Sequence, residues 1–153
     1  MFPLDSPVGI NIKDFIDISA EAEETMKKIM LVDDEKDQIF FIKTSFENLF
    51  GKQYTIVPAE SGEKCFELLN KKNIPDLILL DIMMPKMNGW EVFDRLRANP
   101  SWKNIPIIFL TARTDEFAEH AGALIAEDYI KKPIEIKELK TRIDNVLKRT
   151  NIK

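Results

Sequence analysis

Five side chains able to do chemistry stand just past short apolar runs. Asp33 and Asp34 follow Ile29-Met30-Leu31-Val32, Asp81 follows Leu77-Ile78-Leu79-Leu80, Thr111 follows Ile107-Ile108-Phe109-Leu110, and Lys132 comes soon after Tyr129-Ile130. A continuous apolar run of four residues bounded by polar ones reads as a strand buried on both faces of a parallel sheet. In such sheets ligands bind in the crevice beyond the carboxyl ends of the strands. Three carboxylates, a hydroxyl and an ammonium should therefore meet at one edge of the fold. Three carboxylates that close cannot all stay ionised without a cation among them. Asp33, Asp34 and Asp81 ask for a divalent metal with oxygen ligands, and Mg²⁺ suits one or two carboxylates plus phosphate oxygens. Thr111 and Lys132 ask for an anion beside it. The chemistry this suggests is phosphoryl transfer.

The elements that must hold these groups follow from the alternation of patterns along the chain. The sequence predicts strands at 29–33, 54–58, 76–81, 105–110 and 128–131, and helices at 36–50, 61–72, 88–98, 114–124 and 135–148. Gly51 suits a helix C-cap, Ser61 gives a partial N-cap signature, and Pro75, Pro85, Pro100 and Pro106 punctuate loops. Alternating strands and helices call for right-handed crossovers and helices on both faces. The expected fold class is α/β, a doubly wound five-stranded parallel sheet in the flavodoxin-like order 2-1-3-4-5. Residues 1–27 read as an N-terminal extension in which Ser19 could cap a short helix reaching Lys28, with Glu21, Glu23 and Glu24 in its first turns. The functional domain is expected over 28–150.

Bulk properties exclude several classes. A net charge of -4 and a pI near 5.2 argue against nucleic acid, which favours a basic stripe. The single cysteine, Cys65, rules out an internal disulfide and a cysteine zinc site, and fits a cytoplasmic location. No apolar stretch approaches the roughly 18 residues a membrane span requires, and no signal peptide is evident.

The segments LVDDE, PDLILLDIMMPKMNGWEV, IPIIFLTA and EDYIKKPI, in this order and spacing, resemble the receiver domain of two-component response regulators, from about Lys28 to Lys148. The resemblance implies that Asp81 accepts a phosphoryl group and that Asp34 and Asp81 hold Mg²⁺ directly, with the Met83 carbonyl as a further ligand and Asp33 acting through water. It implies that Lys132 pairs with the phosphoryl group from a cis Lys132-Pro133 bond, that Thr111 is the switch hydroxyl, and that Tyr129 is the switch aromatic. The implied donor is a histidine kinase or a histidine phosphotransfer protein. The implied output is a changed protein surface over 114–148, read as a monomer or a phosphorylation-dependent dimer, or else onward phosphotransfer in a phosphorelay. Only five residues follow Lys148, so the sequence reads as a stand-alone signalling switch, not a metabolic enzyme.

Plainer roles compete at several positions. Asp33 or Asp34 could N-cap the helix from Lys36, although capping accounts for one acid of the pair and not for Asp81. Thr111 could be β-branched filler, and Tyr129 a core aromatic. The lone histidine, His120, falls on a predicted exposed helix with no catalytic pair. In the helix 36–50, Ile39, Ile42, Phe46, Leu49 and Phe50 form the expected core stripe, with Phe40 and Phe41 on its flanks. Phe41 is expected to anchor the phosphoryl donor's helical bundle, unless Ile12, Phe15 and Ile16 of the extension cover it. Where receivers usually carry Gly-Ala before the last strand, this chain has Ile125-Ala126. Met83 and Arg113 stand two residues past Asp81 and Thr111, and neither positions water, so the aspartyl-phosphate is expected to be long-lived. The competing class is a phosphorylation-independent interaction module of the same fold. A hydrolase with an Asp nucleophile would want a second carboxylate where Met83 stands.

Overall fold

The computed structural model describes residues 26–112, 115 and 125–151. The elements are β1 (Lys27–Val32), α1 (Lys36–Phe50), β2 (Tyr54–Ala59), α2 (Gly62–Asn70), β3 (Leu77–Leu80), α3 (Gly89–Ala98), β4 (Ile107–Thr111), β5 (Asp128–Lys131) and α4 (Ile136–Asn151). All strand pairs are parallel, and the order is β2-β1-β3-β4-β5. The apolar runs split by parity, as a pleated strand requires. Ile29, Leu31, Leu77, Leu79, Ile108 and Leu110 join the core beneath α1 and α4. Met30, Val32, Ile78, Leu80, Ile107 and Phe109 join the core with residues of α2 and α3. A fully buried side chain of this size contributes roughly 1.5–3 kcal/mol, so neither face is dispensable.

Local signals set the boundaries. Ser61 caps α2, its hydroxyl accepting from the Lys64 N–H at 3.0 Å. Asn88 and Glu91 form a reciprocal capping box at the start of α3, with contacts of 3.0 and 3.1 Å. Gly51 does stand at the C-cap of α1, but in the right-handed region (φ -60°, ψ -19°).

Two expectations are corrected. Lys27 and Lys28 do not end a helix from Ser19: they pair in register with Tyr54 and Thr55 as the first residues of β1. The ladder takes their backbone groups, and the Lys28 N–H also donates to Asp76 at 2.8 Å. Residues 19–25 of that expected helix lie outside the described residues, as do Arg113, His120 and all of helix 114–124 except Asp115. The second correction is Leu49. Ile39, Ile42 and Phe46 are buried and Phe50 packs against the core, but Leu49 is 55% exposed. Phe50 and Tyr54 close edge-on over Phe46, with ring centroids at 5.3 and 5.7 Å, and fill the helix end without it.

Candidate functional site

The four expected strand ends meet at one edge of the sheet. The Asp33 N–H reaches Ala59 O of β2, the Asp81 N–H reaches Val32 O of β1, and the Lys132 N–H reaches Thr111 O of β4. The backbones of Asp33, Asp81 and Lys132 are thus each fixed by the strand next to their own. Carboxylate oxygens of Asp33, Asp34 and Asp81 lie within 4.8 Å of one another. Asp33 and Asp81 are buried, with Asp34 the most open of the three. The Lys132 side chain is 9% exposed, and its Nζ lies 2.6 Å from Asp33, 3.6 Å from Glu35 and 3.8 Å from Asp81. The Thr111 hydroxyl donates to Asp81, and the Met83 N–H approaches Asp81 Oδ1 at 3.3 Å. The Lys132-Pro133 bond is cis.

Burial pushes the Asp81 carboxyl above the usual carboxylate range, and the charge of Asp33 adds to this. Lys132 and the Thr111 hydroxyl offset part of it. For Lys132 burial alone would lower the pKa, but the Asp33 hydrogen bond and charge, then Asp81 and Glu35, carry it above the usual lysine value. The lysine therefore stays charged among these acids. An all-oxygen trio with a buried member on each of two neighbouring strands fits a hard divalent cation, for which Mg²⁺ is the small octahedral case.

The β3–α3 connection shapes the floor. A Cβ on Gly89 would come within 2.3 Å of the Asp81 carbonyl oxygen and 2.7 Å of Ile82 Cα, so only glycine lets α3 begin against the strand end. Lys86, in the same loop, holds φ at +67°. Met83 is 62% exposed, while Met84 turns into the core.

Tyr129 and Phe41 stand outside the charged ring. Tyr129 is half-buried with its ring 6.1 Å from Phe109, whose other neighbours are Trp90 at 5.0 Å and Phe93 at 5.6 Å. Phe41 and Phe40 are both exposed on α1. Sequence reasoning missed Glu35 and Gly89. The glycine at the first position of a helix was a readable signal. Nothing local distinguished Glu35 from any acid beside an acidic pair.

The order of the sheet defines a flavodoxin-like α/β domain, and the acidic crevice at its carboxyl edge is compatible with a divalent cation. Residues 29–144 match the family model for the response regulator receiver domain. The chain belongs to that family. It is 40% identical over 129 residues to the probable transcriptional regulator ycf27 of Guillardia theta, covering 84% of this chain and 48% of that protein. It is also 40% identical over 116 residues to a probable cyclic di-GMP phosphodiesterase of Vibrio cholerae serotype O1, covering 75% of this chain and 25% of that one. The chain thus spans between a quarter and about half the length of these curated relatives. Among solved structures it resembles the receiver domain of Francisella response regulator 1452, with a TM-score of 0.71, 34% identity, and 81% and 98% of the two chains covered. Membership places it in two-component signalling as a switch domain. No described helix is long and apolar enough to cross a membrane.

Proposed function

We propose that Asp81 accepts a phosphoryl group from a histidine kinase or a histidine phosphotransfer protein in a Mg²⁺-dependent reaction, and that the phosphorylated domain signals by protein–protein contact. The observation that carries this reading is the convergence of Asp81, Thr111 and Lys132 with the Asp33–Asp34 pair at one sheet edge. Asp33, Asp34 and Asp81, with the Met83 carbonyl, would hold the metal. Bound Mg²⁺ supplies positive charge that neutralises the oxygens of the transferring phosphoryl group.

The chain's own residues do the rest. A carboxylate oxygen of Asp81 attacks phosphorus, the new bond is the P–O of an acyl phosphate, and the P–N bond to the donor imidazole breaks with its electron pair left on that nitrogen. Lys132, held charged and nearly dry, pairs with the developing negative charge. Thr111 turns its hydroxyl from the carboxylate to a phosphoryl oxygen, and Tyr129 moves into the space this opens. That change is a local charge event biasing a two-state element. Exposed Phe41 is the apolar anchor for the donor bundle, seven residues along the chain from Asp34.

Intact mass after incubation with acetyl phosphate tests the reading. One phosphoryl adduct is expected with Mg²⁺ and none in Asp81→Asn or without metal. Folded, metal-supplied chain that gains no adduct overturns it in favour of an interaction module. The same time course reads the lifetime: with Met83 beside the acceptor, the adduct should outlast minutes after removal of the donor, and decay within seconds contradicts that.

A further inference from the structure

We propose that Glu35 is a positioning residue that receives the Lys132 ammonium when a divalent cation enters the acidic trio, and so tunes how readily the trio binds metal. This rests on the Mg²⁺ reading above. Both oxygens of Asp33 are engaged: Oδ2 by Lys132 Nζ at 2.6 Å and Oδ1 by the Glu35 N–H at 2.9 Å. A cation entering the trio meets the ammonium on the same buried carboxylate, and the two repel at close range in poorly screened surroundings. Lys132 must then lean on another anion. Among the described residues its ion-pair partners are Asp33, Asp81 and Glu35. Two of these belong to the trio. Glu35 alone is within reach and outside it.

The helix start carries independent evidence. Glu35 occupies the N-cap position of α1 with extended backbone, yet its side chain makes no capping hydrogen bond. A side-chain oxygen at that position ordinarily accepts from the first free amides of the helix. Here the carboxylate instead points to Lys132, 3.6 Å away, while its own N–H is fixed by Asp33. The same acid that must release the lysine thus positions the one that takes it.

The consequence is a population effect. Metal binds the fraction of molecules in which Lys132 has left Asp33, so apparent affinity scales with that fraction. Glu35 raises it.

Isothermal titration calorimetry of Mg²⁺ onto the full chain is the test, run with wild type, Glu35→Gln, Lys132→Met and the double variant. Glu35→Gln should weaken binding roughly three- to tenfold, as expected for coupled neighbours. With Lys132→Met in place, the same change should matter by less than about twofold, since the coupling runs through the lysine. An equal loss in both backgrounds means that Glu35 adds only diffuse negative field, and overturns the inference. So does an unchanged constant for Glu35→Gln alone. Wild-type chain that takes up no Mg²⁺ overturns the metal reading and this inference with it, whereas wild-type binding indifferent to Glu35 overturns the inference alone.

Discussion

Lys86 sits in the left-handed region at φ +67°, where a side chain costs roughly 1–2 kcal/mol relative to glycine's freedom. Part of that gain is returned when glycine loosens the unfolded chain. Lys86→Gly should still raise the urea midpoint by an amount equivalent to about 0.5–1 kcal/mol. An unchanged or lowered midpoint would show that the loop holds this conformation without cost. At this scale the sequence was informative wherever a polar residue ended a buried strand, because the strand itself dictates where Asp33, Asp81, Thr111 and Lys132 must point. It was silent for Glu35, whose partner lies near the far end of the chain. It was equally silent on how close Gly89 comes to the Asp81 carbonyl, a consequence of helix–strand approach rather than of local pattern.

Between elements, β5 and α4 are tied by a two-pronged pair: Arg142 Nε and Nη2 donate to the two oxygens of Asp128 at 2.7 and 2.8 Å. Burial works to raise the Asp128 pKa, but the Arg142 hydrogen bonds and charge outweigh it and hold the carboxyl below its usual value. A depressed carboxylate contributes stability above its unfolded pKa of about 3.9, lost as pH falls through the lower folded value. Chemical denaturation of wild type and Asp128→Asn should therefore differ by a constant amount from pH 7 to about 5 and converge below about pH 4. A gap that persists undiminished in acid would assign the difference to packing instead of charge. Helices and strands were legible from periodicity, and the Asn88–Glu91 capping box could have been read from its spacing. The exposure of Leu49 could not: its angular position on α1 matches the core stripe, and only the closure of Phe50 and Tyr54 over Phe46 leaves it outside.

In the molecule as a whole, two cores share one sheet, and β1, β3 and β4 lie inside it while β2 and β5 form its edges. Opening of the central strands requires both cores to separate, so their amides should exchange only with global unfolding. Native-state hydrogen exchange should rank Leu77–Leu80 of β3 and the β1 residues Ile29–Val32 slowest, with β5 released earlier. Equal protection across all five strands would contradict a graded sheet. The topology was legible because a parallel alternation leaves few connections open. The site spans that topology from end to end. Its acids arrive with the first and third strands, and its ammonium arrives just past the fifth. A chain in which the last strand is missing, slipped or unpaired gathers the carboxylates but not the cation that tolerates them. With the roles proposed for these residues, competence to carry a signal is conditional on a finished fold, and the site doubles as an inspection of its own assembly.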